Sequence, residues 1–504
     1  MRIPTLFLSL RNPLTFLSLR KPVTVIARFF PLATAAFCAS FTGAATGQTP
    51  PSGPLDSLPE LTDLQFNTAH AVMTLCPQLP APNPSGTLVQ RLSHSCTAMV
   101  VTAANNEGKI NDLAAAVGVP ADVLLQNFNL NISTDRLRKA VQDIAPVQMN
   151  AQKQISTESA KMSLIGVRLL DLREGTRGFV LGLNGREAVP KPTGQSEGRA
   201  LAGATGGGAA ADTPLGGRLG GFLNIAYNWG NVDQTDVQDA YDYRNYNVIG
   251  GLDYRVTDAL VLGGAISYSD THSDFDNSLG NVKARTTSIA AYGTYYVAEW
   301  FVDGFVAYGW ANYDSTRNIL VPSGNPGIAP FNTSATASPN GHEWSASVGV
   351  GRNFPLAATW TITPIARLAY IRVKNDAFTE DEPINGLGLA VDERTVKSFQ
   401  SALGGRLSTN MSTTVGVFGP YLTLNWMHEL EKNNPSIISK YVNDPFNTIF
   451  VIPTASPTRD YGVVMVGSTA TLPNNLSGFA QFSAAFGLRD QTNYGIVLGV
   501  RKQF

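Results

Sequence analysis

From Arg218 to the carboxyl terminus the chain repeats one pattern, in which apolar residues alternate with polar or small ones. A period of two places the apolar set on one face of a β-strand and the rest on the other. The last stretch, Asn493 to Phe504, carries it most clearly. Tyr494, Ile496, Leu498, Val500 and Phe504 share one parity, and Gly495, Gly499, Arg501 and Gln503 share the other. A soluble sandwich can alternate too. A final strand that ends on an aromatic, after many others of its kind, points instead to an outer-membrane barrel with its apolar parity toward lipid. Lys502 lies on the lipid parity, where a charge near the interface costs about 0–1 kcal/mol against about 2–4 at the midplane.

The pattern predicts twelve strands. Leu223, Ile225, Tyr227 and Trp229 alternate with Asn224, Ala226 and Asn228. Leu260, Leu262, Ile266 and Tyr268 alternate with Gly263, Ser267 and Ser269. Val302, Val306, Tyr308 and Trp310 oppose Asp303, Ala307 and Gly309, and Leu368 and Tyr370 oppose Arg367. Leu422, Leu424 and Trp426 oppose Thr423 and Asn425; Leu476, Phe482, Phe486 and Leu488 oppose Ser477, Gln481, Ser483 and Arg489. The other strands centre near 243–255, 285–297, 343–354, 395–409 and 461–472. Long connections near 230–242, 272–284, 316–342, 375–394 and 431–460, and a tight one at 489–491, alternate with short ones. Barrels of this kind have long extracellular loops and short periplasmic turns, so an even strand count leaves both barrel ends in the periplasm.

Charged residues make up 15% of the 504 residues and the net charge is -1. Nucleic-acid binding wants a basic patch, which this balance does not supply. Past the N-terminus no run of about 18 apolar residues occurs, so no membrane-spanning helix is predicted. Residues 1–47 read as a secretory signal: Arg2, Arg11, Arg20, Lys21 and Arg28 precede an apolar run, and small residues follow with the cut placed between Ala45 and Gln48. Residues 48–150 form a short helical exported segment. Its signals are the spacing of Leu64, Ala71, Val72 and Leu75, Asn111 as a cap before Leu113–Val117 with Gly118 as a stop, and Thr134 as a cap for Arg136–Ile144. Cys76 and Cys96 remain after cleavage and are expected to pair in an oxidising compartment. Residues 151–217 comprise an amphipathic helix, Ala151 to Arg173, and a Gly/Ala-rich linker, Gly194 to Gly217, too poor in bulk to offset its ordering entropy. The barrel occupies 218–504.

Specific stretches add a resemblance. Tyr246–Arg255 followed by Leu260–Tyr268 is similar to the second and third strands of the autotransporter family, which carries out type V secretion. Trp300–Tyr308 resembles its fifth strand, Pro364–Tyr370 its seventh, and the end at Phe504 its assembly signal. Ala140–Pro146 and Arg168–Arg173 look like its linker. The resemblance covers 213–504 well and 140–190 loosely. It implies an outer-membrane barrel that anchors its preceding segment and translocates it to the cell surface, with outer-membrane lipid and the barrel-assembly machinery as partners. Folding and insertion would supply the energy, since no nucleotide site is visible. Two departures stand out: the exported segment is helical rather than a long β-helix, and the linker separates the amphipathic helix from the first strand. The family's paired-asparagine cleavage signature is absent, so a released passenger is not predicted. The alternatives are a porin-like channel with a periplasmic N-terminal region, and an adhesin acting through loops 316–342 and 431–460. The surface ligand is unknown from the sequence.

Little else suggests chemistry. The nearest His–Ser pairs, His272-Ser273 in an expected loop and His94-Ser95, have no group that both orients and activates. Asp270, Asp274 and Asp276 lack EF-hand spacing and read as an acidic loop tip. His342 and His428 read as lone lumen or rim residues, and Gly206–Gly208 is followed by no Lys-Ser/Thr. No enzyme activity, cofactor or metal is therefore expected. Arg367, Arg406, Arg489 and Arg501, with Asp303 and Glu343, are expected to form ion pairs in the lumen.

Overall fold

The computed structural model describes residues 53–145, 166, 169, 218–357, 359–432, 435–473 and 476–503. The expected signal segment, the expected Gly/Ala linker, Phe504 and most of the expected helix 151–173 lie outside them. Twelve antiparallel strands follow in order: β1 Leu219–Val232, β2 Tyr241–Arg255, β3 Leu260–Phe275, β4 Gly280–Val297, β5 Trp300–Val321, β6 Asn340–Arg352, β7 Trp360–Asn375, β8 Arg394–Thr409, β9 Val417–Glu429, β10 Asp460–Leu472, β11 Leu476–Phe486 and β12 Tyr494–Gln503. Each pairs with its neighbours in sequence, and β12 returns to pair with β1 from Gly220↔Gln503 to Trp229↔Tyr494. Closure removes the free edges that an open sheet would present to lipid, where an unpaired backbone group costs several kcal/mol.

The alternation sorts the side chains as the sequence predicts. Leu223, Ile225, Leu262, Ile266, Tyr268, Val302, Leu368, Leu424, Trp426, Ile496, Leu498 and Val500 face outward and are exposed, Ile266 to 64%. Asn224, Ala226, Asn247, Asp303 and Val497 face inward and are buried. Glycines admit aromatics into the lumen. A methyl on Gly263 would lie 2.3 Å from the Tyr292 ring, which stands directly across the strand pair.

Three expectations change along the strands. The connection placed at 272–284 is mostly strand, because β3 runs to Phe275 and only Asp276–Leu279 turns the chain. Asp270, His272, Ser273 and Asp274 are therefore strand residues, not a loop tip. Leu488 and Arg489 lie beyond β11: the chain turns at Gly487, whose φ of 77° takes the left-handed region glycine tolerates, and Arg489 is exposed rather than in the lumen.

Among the described residues before the barrel, five α-helices have bounds: α1 Asp63–Leu75, α2 Leu88–Asn106, α3 Ile110–Val117, α4 Ala121–Phe128 and α5 Thr134–Asp143. Thr62 with Gln65, and Thr87 with Gln90, form capping boxes that satisfy the first N–H groups of α1 and α2. Asn111 is not a cap, since α3 begins at Ile110 after Lys109; Gly118, at φ 69°, does stop it. Ser133 rather than Thr134 caps α5, its Oγ accepting from the Arg136 N–H at 3.4 Å. Cys76 and Cys96 are joined by a disulfide with a Cα separation of 5.8 Å, which ties the end of α1 to α2. Among the described residues no helix is long and apolar enough to cross a membrane.

Candidate functional site

The helices form a cap on the end of the barrel that carries the long connections. Their apolar faces and the outer loops share one core. Leu64, Val72, Leu92, Met99, Leu137 and Ile144 of the cap pack with Ile319 and Val321 at the outer end of β5 and Phe331 of the third outer connection, with Leu387, Leu389 and Val391 of the fourth, and with Ile437, Tyr441, Phe450 and Ile452 of the fifth. The loops are structured for this contact. Phe331–Ala337 pairs with the extension of β5, and residues 378–379, 389–391, 437–441 and 450–452 make a separate small sheet. In that sheet the alternation continues above the barrel, but its apolar parity meets helices instead of lipid.

Polar contacts seat the cap. Arg317, on β5, is 1% exposed and is the largest fully buried side chain among the described residues. Its Nε donates to Glu380 Oε1 at 3.0 Å and a second nitrogen binds the other Glu380 oxygen. It also donates to the carbonyl of Asp143 at 3.2 Å and to that of Leu387 at 3.0 Å. One guanidinium thus ties the barrel wall, the fourth connection and the end of α5 together. Its fork geometry makes this possible, since five N–H groups diverge in a plane. Glu382 braces the same loop, accepting from the N–H groups of Ile384, Asn385 and Leu387 at 2.8–3.0 Å. Gln142 of α5 donates to Asp239 of the first connection, and the Gly324 N–H donates to the Leu130 carbonyl at 2.7 Å. Burial pushes the Asp143 carboxyl up to about 7, against the pull of Lys139 and with the help of the Asp239 charge; burial raises Asp239 as well. His94, whose adjacency to Ser95 implied no catalytic role, lies between the rings of Phe128 and Phe331, and burial lowers its pKa. It is a packing residue at the cap–loop boundary.

The lumen below is lined by polar groups that bind one another. Arg367 pairs with Asp303 at 2.7 Å, and Arg501 lies 3.8 Å from Asp253. Glu343 accepts from Ser288 at 3.0 Å, and Arg406 binds Thr423 while lying 3.8 Å from the Tyr421 ring centre. Of the expected lumen set, Arg489 alone falls elsewhere. Leu169 is helical and 0% exposed, and it packs with the lumen residues Phe222, Ala226, Ile249, Val261, Ala265 and Tyr292. A residue of the segment before the barrel therefore occupies the pore. His342 and His428 sit on the outward parity at the rim, where His342 Nδ1 lies 3.1 Å from the Tyr308 hydroxyl.

A family model, the autotransporter beta-domain, matches residues 221–483. The chain belongs to the autotransporter family. That membership makes the barrel an outer-membrane translocator of an N-terminal segment. Among curated relatives, Lipase 1 of Photorhabdus luminescens is 29% identical over half of this chain and 37% of its own length. The extracellular serine protease of Serratia marcescens is 22% identical over 51% of this chain and 23% of its own. This autotransporter chain thus spans well under half the length of the curated relatives it matches. The translocator domain of autotransporter NalP from Neisseria meningitidis is similar over 69% of this chain and 98% of its own, with 16% identity and a TM-score of 0.47. The transport unit of AIDA-I from Escherichia coli is similar over 56% and 90%, with 18% identity and a TM-score of 0.37.

The sequence could not announce the cap's seat. Arg317 and Glu380 are 63 residues apart, and each reads alone as a solvated charge in a loop. The remaining signal was the apolar alternation of Leu387, Leu389 and Val391 inside a supposed loop, too much for a solvated connection.

Proposed function

We propose that this autotransporter carries the segment 53–145 through its barrel to the cell surface and keeps it there as a docked cap. The observation that carries the reading is the shared core between the helices and the long connections. Long connections of such barrels are extracellular, so a segment packed on them is extracellular too. Its tether must then pass from outside to the periplasmic start of β1. Leu169 in the lumen supports that path. Leu169 in the lumen also argues against the porin-like alternative. Insertion of the barrel would need the outer-membrane assembly machinery, with β12 and its apolar parity Tyr494, Ile496, Leu498 and Val500 as the segment recognised. The adhesin reading keeps one supporting observation: Ile438, Phe446, Ile449 and Val451 of the fifth connection are exposed.

Protease treatment of intact cells tests the main reading. Tags placed at turns within residues 76–120 are expected to become cleavable from outside after chemical loosening of the cap. Tags reachable only once the outer membrane is ruptured would place the segment in the periplasm and defeat the proposal.

A further inference from the structure

Three polar residues stand side by side on the outward face of the barrel, in a row across three strands. Ser401 of β8 is directly opposite His428 of β9, and His428 is directly opposite Asp460 of β10. All three share the parity of exposed Leu403, Leu424, Trp426 and Val466, which face lipid. His428 Nδ1 lies 2.8 Å from Asp460 Oδ1, which leaves Nε2 for the neighbour on the other side. Directly opposed residues of an antiparallel pair have Cβ atoms about 4.5–5.5 Å apart, within reach of an imidazole. The His428 and Asp460 side chains are 29% and 54% exposed on the outward face at the rim.

The other described barrel histidines lack this arrangement. His272 stands between Arg244 and Lys283, and His342 between Trp310 and Lys374. Around Ser401 the surface suits a lipid. Leu368 is its partner on β7, and one rung toward the cap the Tyr370 and Phe399 rings meet edge to face with centres 6.5 Å apart. One rung further, Lys397 and Arg372 are opposed and exposed. Two cations above an aromatic pair fit the phosphate level of a membrane surface, with ester groups below it and acyl chains along Leu403 and Leu424.

We propose that Ser401, His428 and Asp460 form a hydrolytic site for carboxylic esters of anionic membrane lipids, facing the outer leaflet. The Ser401 oxygen attacks the ester carbonyl carbon while His428 Nε2 takes its proton. The tetrahedral adduct collapses, the carbon–oxygen bond to the lipid backbone breaks, and His428 returns the proton to the departing alcohol. Water then attacks the acyl-serine, giving its proton to His428; the bond from the acyl carbon to the Ser401 oxygen breaks, His428 returns the proton to that oxygen, and the fatty acid leaves. Asp460 is a positioning residue that holds the ring through Nδ1. Strand N–H groups at Ser401 are engaged in the sheet ladder, so turnover should be slow for a serine hydrolase.

The test uses the purified full chain in micelles containing phosphatidylglycerol with a fluorogenic acyl chain, together with a fluorophosphonate probe. Fatty-acid release is expected, with S401A and H428A lowering it by about 100-fold or more. The fluorophosphonate is expected on Ser401 in the wild type and absent from H428A. D460N should lower kcat with KM unchanged, and D460E should restore part of it. Heat-dependent gel mobility checks that each variant keeps its barrel; if S401A does not, the mapped label on wild-type Ser401 decides. No release and no label in the wild type, or full release by a folded S401A, would overturn the proposal.

Discussion

Replacing Arg317 with methionine tests what seats the cap. The substitution keeps a long apolar stem but removes the charge and every donor. Glu380 would then be buried with the Leu389 N–H, at 3.0 Å, as its remaining described donor. The carbonyls of Asp143 and Leu387 would each lose the Arg317 donor. Breaking one side of a buried pair costs about 3–5 kcal/mol, because the abandoned charge stays in a poor solvent. At about 1.4 kcal/mol per factor of ten, the undocked population should rise from a hundredfold to a few thousandfold. Hydrogen exchange of α1 to α5 in micelles reads this directly, with heat-dependent gel mobility confirming an intact barrel. The double variant R317M/E380L should recover most of the loss, since an apolar pair of similar bulk leaves no orphaned charge. Cap amides in R317M that exchange within about threefold of wild type would refute the reasoning, for the clasp would then contribute under 1 kcal/mol.

Docking should depend on pH through Asp143, whose carboxyl is raised to about 7 in the docked state and titrates near 4 when free. The docked form holds a proton that the free form gives up, so protease protection of the cap is greatest below about pH 4 and is lost as pH climbs through about 7. D143N should flatten that profile; an unchanged profile would remove Asp143 from the account. Deleting 151–173 should raise single-channel conductance, because Leu169 no longer fills space beside Phe222 and Tyr292, and equal conductance would show that another segment blocks the pore. Reducing the Cys76–Cys96 bridge, which spans 20 residues, should cost the cap about 3 kcal/mol, seen as a fall in its denaturation midpoint. G263A should disturb Tyr292 and slow barrel assembly, measured by the appearance of the heat-modifiable band; wild-type kinetics would mean the ring moves freely.

The barrel was legible because lipid imposes a simple rule on every strand: Ile496, Leu498 and Val500 must be apolar whatever their neighbours are. The cap was legible only in part. Helix α2 carries Thr87 and Gln90 at capping-box spacing, yet its polar, serine-rich first half masks the apolar stripe. The third to fifth connections looked like loops because their strands are short and interrupted, and what stabilises them is the cap, distant in sequence. His428 illustrates the same limit. Its partners Ser401 and Asp460 lie 27 and 32 residues away, and only the register of three strands brings them level.

The single core shared by helices and loops has a consequence for shedding. Were the tether between the cap and β1 severed, Leu137, Ile144, Leu389 and Ile452 would still be buried against one another. Departure would expose all of them to water at once. Cleavage alone would leave a nicked, two-piece particle, and the cap would be liberated only by something that also pries the pieces apart.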